Sequence, residues 1–144
     1  MPTTTDDLPP IVLTVETSAS PETVWAALTD PDRVALWLTD ASPLGEAGAS
    51  YRLDFGDSSI VDGVIVSVEP GHRFVHTWRW VDSDPDQETQ VAWTVEPRPD
   101  GGTRLTLRHE GWSEARGGTA VRDDHEGYWS GYLDDLVALL AEAD

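Results

Sequence analysis

Apolar positions recur along this chain with two different periods. Ile11 to Thr17 sets Ile11, Leu13 and Val15 against Val12, Thr14 and Glu16, the period-two pattern of a strand with one buried face. Ser20-Pro21-Glu22-Thr23 then reads as a helix start: a capping serine, a proline at the first helical position and an acid in the first turn. Val24, Trp25 and Leu28 continue it at helical spacing. Thr29-Asp30-Pro31 breaks that helix and opens a second short one, with Val34, Leu36 and Trp37 as its apolar face. Pro43 to Ala49 reads as a loop. Five strands follow, punctuated by turns. Tyr51 to Phe55 precedes a turn at Gly56-Asp57-Ser58, and Ile60 to Val68 precedes one at Glu69-Pro70-Gly71. Arg73 to Trp80 ends at an acidic hairpin tip, Asp82 to Asp86, and Thr89 to Glu96 ends at Pro99-Asp100-Gly101-Gly102. Thr103 to Glu110 is the last strand. A Gly-rich loop leads to a long amphipathic helix from about Val121 to Glu142, with Trp129, Tyr132 or Leu133, Leu136, Val137, Leu139 and Leu140 as its stripe. Consecutive strands joined by hairpins imply an antiparallel sheet, and only the last helix is long enough to cover it.

Several segments also resemble a known family, in the right order. Ser20-Pro21-Glu22 with Val24-Trp25-Ala26-Ala27-Leu28-Thr29-Asp30-Pro31 resembles the first-helix signature of the activator of heat-shock-protein-90 ATPase homologue family, a branch of the START-like (SRPBCC) superfamily. Gly63 to Pro70, Arg73-Phe74-Val75-His76-Thr77-Trp78, and Gly102 to Leu107 with Glu110-Gly111-Trp112 resemble three later segments. Gly127-Tyr128-Trp129 through Leu133 and Leu136 resembles the start of the C-terminal helix. The resemblance covers residues 10 to 142. It implies an α+β helix-grip fold: a curved antiparallel sheet of about six strands wrapped around the C-terminal helix, with two short helices after the first strand and a cavity between sheet and helix. The expected organisation is a flexible segment over 1–9 and one START-like domain over 10–144.

Period-two alternation sorts the side chains into faces. Phe74, His76, Trp78 and Trp80 share one, as do Val91, Trp93 and Val95, and Leu105, Leu107 and His109. The helix-grip resemblance turns these faces toward the long helix. The expected cavity residues are Trp37, Tyr51, Phe55, Phe74, His76, Trp78, Trp93, Leu107, His109, Trp129 and Tyr132, with Tyr128 also available to the wall. Such aromatics pack a core and line a cavity equally well. His76 and His109 stand out because a buried imidazole must find hydrogen-bond partners, within the core or on a ligand. His125-Glu126, beside Asp123 and Asp124, reads as helix-start chemistry, and Glu110 as an outward carboxylate. Arg73, Arg79, Arg104 and Arg108 fall on the opposite strand faces, placed to pair with acids or to meet a partner protein.

Composition narrows the chemistry. With no cysteine there is neither a disulfide nor a thiolate, and there is no His-Glu-x-x-His or tight His/Asp cluster. No catalytic set, metal site or cofactor motif is recognised. The formal charge of −18 disfavours nucleic acid and anionic membrane as partners, and no apolar run is long enough for a membrane span. All nine basic residues are arginine, and asparagine is absent as well; codon bias and adaptation to high salt both account for this. Met1 to Pro10 has no signal-peptide pattern, so a cytoplasmic location is expected. The functional expectation is binding of a small, largely apolar molecule, lipid- or polyketide-like, without catalysis. The alternatives are a cyclase or aromatase using His76, His109 and Tyr51 or Tyr132, and a chaperone-interacting protein like the family's namesake. The outer sheet face and the tryptophans are compatible with a homodimer.

Overall fold

The computed structural model describes residues 8–42, 44, 46–56, 59–81, 88–113 and 118–143. The acidic hairpin tip, most of the Gly56-Asp57-Ser58 turn and residues 1–7 of the N-terminal segment lie outside them. The elements run β1 (Ile11–Thr17), α1 (Pro21–Thr29), α2 (Pro31–Trp37), β2 (Asp40–Ala41), β3 (Ser50–Asp54), β4 (Ile60–Glu69), β5 (Arg73–Trp80), β6 (Thr89–Pro97), β7 (Thr103–Glu110) and α3 (Gly118–Ala143). The strands form one sheet of seven, in the order β1-β7-β6-β5-β4-β3-β2, every neighbour antiparallel. The seventh strand is β2, only two residues long and lying between α2 and the Pro43 to Ala49 loop, where the sequence pattern assigned no element.

The predicted local chemistry holds. Ser20 Oγ accepts the Thr23 backbone N–H at 3.2 Å to cap α1, with Pro21 at its first position. Asp30 ends α1 and caps α2 through the Asp32 N–H at 3.0 Å. The two helices carry the chain from β1, at one edge of the sheet, to β2 at the other. α3 begins at Gly118, three residues before the expected Val121. Asp123, Asp124 and His125 therefore sit in its second turn, which removes the helix-start explanation for them.

Register places the inward side chains in cross-strand rungs. Ile65, His76, Val91, His109 and Ile11 form one across β4, β5, β6, β7 and β1. Phe74, Trp93 and Leu107 lead the next, and Trp78 faces Thr89 in a third. A break in register between Ile65 and Ser67 bends β4, as an extra unpaired residue does. The helices cover the concave face, where Trp129, Leu133, Leu136 and Leu140 of α3 are buried against the sheet residues. The outer face carries the expected arginine pairs: Arg79 with Asp62 at 3.4 Å, Arg104 with Glu16 at 3.0 Å and Arg108 with Glu110 at 2.6 Å. The N-terminal lead is tied down at its end. Leu8 N–H donates to Trp112 O, and the Arg122 guanidinium donates to the Pro9 and Pro10 carbonyls. No helix among the described residues is long and apolar enough to cross a membrane.

Candidate functional site

A cavity of about 550 Å³ opens where α3 leaves the sheet, bordered by the ends of β3 and β5 and the first half of α3. Its lining is mostly aromatic: Phe55 and Trp80 from the sheet side, Trp78 at the base, and Tyr128, Trp129 and Tyr132 from α3. Leu38, Gly56, Ser59, Val121, Asp124 and His125 complete it. The volume falls within the range of small-molecule pockets. The rings brace one another, with centroids 5.4 Å apart for Phe55–Trp80, 6.1 Å for Phe55–Tyr132 and 5.1 Å for Trp78–Trp129. Tyr128 is exposed at the mouth.

Five of the residues expected from sequence border this cavity: Phe55, Trp78, Trp129 and Tyr132, together with Tyr128. Trp37, Tyr51, His76 and Trp93 instead line a small void of about 10 Å³ behind Trp78 and Trp129, room for a single water at most. Phe74 is packed between Trp25 and Trp93, and Leu107 and His109 are buried in the core. Period-two alternation identified the inward face of these strands; the bend of the sheet and the reach of α3 decide which inward positions meet the cavity.

Among the ring-bearing lining residues, Trp80 and His125 are the two that the expected cavity set left out. Trp80 had the right parity and stands at the strand end. His125 was hidden by its acidic neighbours, yet it precedes Trp129 by four residues and so shares the buried stripe of α3.

The three buried histidines follow one pattern, each accepting a hydrogen bond from an indole N–H. Trp93 Nε1 donates to His76 Nε2 at 3.1 Å. The ring proton of His76 is thereby on Nδ1, 3.0 Å from the Tyr51 hydroxyl and 3.1 Å from Thr77 O, and that hydroxyl itself donates to Thr77 O. Trp129 Nε1 donates to His109 Nδ1 at 3.0 Å. His109 Nε2–H then donates to Thr89 Oγ1 at 2.7 Å, and Thr89 donates on to Trp78 O at 3.3 Å. Trp80 Nε1 donates to His125 Nε2 at 2.9 Å, and His125 Nδ1–H donates to Val121 O at 2.8 Å. Two of these pairs pin α3 to the sheet.

Burial opposes charging in all three. Desolvation lowers His76 to about 4, against the Thr77 carbonyl that favours the proton. Desolvation holds His109 well below the usual histidine value, with His125 and His76 adding repulsion. Desolvation also lowers His125, partly opposed by Val121 O and the Asp124 carboxylate. The Tyr51 phenol is pushed well above its ordinary value, first by burial and then by Asp62 and Glu88. Every ring nitrogen of these histidines thus has an internal partner, and each ring is held neutral. By contrast, Trp78 Nε1 is the one buried side-chain polar atom without a hydrogen-bond partner among the described residues. No group of three or more metal-ligating side chains occurs among those residues.

Comparison with known families matches residues 18–141 to the family described as Activator of Hsp90 ATPase homolog 1-like protein. No curated protein matches the chain. Solved structures share the fold. DynU16, a protein of the dynemicin biosynthetic locus, superposes with a TM-score of 0.80 at 30% identity, over 91% of this chain and 46% of its own. The chain thus spans about half the length of DynU16. Protein MLL2253 from Mesorhizobium loti gives a TM-score of 0.83 at 25% identity, over 94% of this chain and 98% of its own. The Aha1 dimer from Colwellia psychrerythraea gives 0.79 at 23% identity, over 93% and 97%.

Proposed function

Since the chain belongs to the activator of Hsp90 ATPase homolog 1-like family, whose fold wraps a sheet around a helix, we propose that it binds a small, largely apolar molecule in the aromatic cavity and performs no chemistry on it. The observation that carries this reading is the contrast between the cavity and the histidines around it. About 550 Å³ of space is walled by rigid rings that suit a flat or elongated apolar body. The imidazoles nearby, the natural acid–base candidates, already have both nitrogens engaged and are held neutral. A general base needs a free lone pair within reach of its substrate, and freeing one here would break an indole–imidazole bond, two of which fix α3.

The unpaired indole N–H of Trp78 supports a ligand with an oxygen acceptor, because a buried donor left without a partner is costly. A polyketide-like molecule carries such oxygens on an apolar frame. The 30% identity to DynU16, a protein of a biosynthetic locus, supports a small-molecule ligand.

The test is native mass spectrometry of the purified chain, then extraction and identification of whatever is bound. Ser59→Trp, which pushes an indole into the cavity from its rim, is measured beside it. A co-purifying apolar molecule that is lost in this variant is the expected result. A bound molecule retained undiminished by the blocked variant would place binding elsewhere and overturn the reading.

A further inference from the structure

Resting on the cavity reading, we infer that the ligand is an organic cation: an apolar body bearing an amine or quaternary ammonium, held against the tyrosine and tryptophan rings and paired with Asp124. Three independent features lead there. The first is the wall. Six aromatic side chains, Phe55, Trp78, Trp80, Tyr128, Trp129 and Tyr132, present ring faces and edges around one space. The face of an aromatic ring carries negative potential, and several rings around one point form a cage that prefers a cation to a neutral group of the same shape.

The second is the charge of the lining. Asp124 is the one formally charged residue that borders the cavity among the described residues, since His125 is held neutral by its burial and its two hydrogen bonds. Asp124 stands four residues before Tyr128, which stands four before Tyr132. On a helix that spacing sets the carboxylate and the two phenols side by side along one row. The neighbouring acids are committed differently. Asp123 and Glu126 both pair with the Arg122 guanidinium at 2.9 Å, while Asp124 makes no ion pair among the described residues. Its charge is left at the rim of the aromatic wall.

The third is the field of the whole chain. A formal charge of −18, with no lysine anywhere, raises the local concentration of cations and repels anionic ligands. A fatty acid or phosphorylated ligand would enter against that field and would meet no cationic side chain in the described lining.

The experiment uses the full chain and two fluorescent probes of the same ring outline, N-methylacridinium, a permanent cation, and its neutral all-carbon isostere 9-methylanthracene, neither of which offers an acceptor to the Trp78 N–H. Binding is followed by fluorescence anisotropy at about 0.15 M salt, where exposed charges are screened beyond roughly 8 Å. Acridinium should bind about tenfold more tightly than methylanthracene, the preference that a partly desolvated cation–aromatic site gives. Asp124→Asn should weaken acridinium roughly 3- to 5-fold, as expected for one exposed charge pair, and leave methylanthracene unchanged. Asp134→Asn, the same charge change on an exposed residue of α3 outside the lining, should alter neither.

Failure of the cation inference has its own signature. Equal affinity for the two probes, absence of acridinium binding, or equal effects of Asp124→Asn and Asp134→Asn would overturn it while the cavity stands. Probe binding that Ser59→Trp does not diminish would overturn the cavity reading, and the cation with it.

Discussion

The bond from Trp129 Nε1 to His109 Nδ1 joins α3 to the last long strand, and its removal has a calculable consequence. Both partners are buried, at 2% and 0% exposure, so neither can turn to water when the other is lost. His109→Leu keeps most of the side-chain volume, for which a near-isosteric core exchange costs below about 1.5 kcal/mol. It strands the indole N–H, at about 1–3 kcal/mol. Thr89 loses a donor to its hydroxyl but keeps its own bond to Trp78 O, so that loss is small. The sum is about 1–4 kcal/mol. Trp129→Phe strands the imidazole acceptor instead and leaves a gap. In the double variant both orphaned groups are gone, so it should be more stable than the two single losses add up to by about 1–3 kcal/mol. Urea denaturation of the four proteins at pH 7.5 measures this coupling, with equal m-values confirming that the transitions are comparable. Losses that add to within about 0.5 kcal/mol would show that the bond contributes nothing specific, and would refute the account of how α3 is held.

Stability should also fall on mild acidification. An unfolded histidine takes up a proton near pH 6.5, whereas folded His76 resists until about 4 and His109 and His125 are also lowered. The unfolded chain therefore binds more protons below pH 6.5. The stability is fully present above that pH and is lost as pH falls toward the folded values, by about 3 kcal/mol from His76 alone. Urea curves with the same midpoint at pH 7 and pH 5 would contradict this. Gly63→Ala should destabilise by about 1–3 kcal/mol, because a methyl there would run into the Thr77 hydroxyl and carbonyl and the Tyr51 ring. Gly131→Ala, in open space on α3, should instead stabilise by about 0.5–1 kcal/mol; thermal melts of the pair decide. Ser20→Ala should cost about 1 kcal/mol through loss of the α1 cap, read from the same melts against a Ser20→Asp control that keeps it.

The strands were legible because each buries one face against the helices, which forces alternation, and the turns carry their own chemistry. β2 was not, since two residues hold no period. Thr89 is a related case. Its position at the start of β6 was plain, but its task of linking His109 to Trp78 O appears only when register sets it opposite Trp78. The inward histidines were visible from parity. Their partners were not, because an indole that reaches them comes from the next strand or from α3, at a distance in sequence that no local pattern encodes. The cavity was less legible still. His76 and Trp78 share a face, yet one closes the core and the other borders the cavity, a difference that parity cannot carry. Asp124 looked like one acid among several in a first helical turn; with α3 beginning at Gly118 it lies a turn further in, among the residues that border the cavity.

The central claim is that a ligand enters between Trp80 and the first half of α3, and the seven indole N–H signals of a ¹⁵N-labelled sample test it most directly. On titration with N-methylacridinium, the signals of Trp78, Trp80 and Trp129 should shift together while those of Trp25 and Trp37, away from the cavity lining, stay in place. Shifts confined to Trp25 or Trp37, with the three cavity indoles unmoved, would contradict the account.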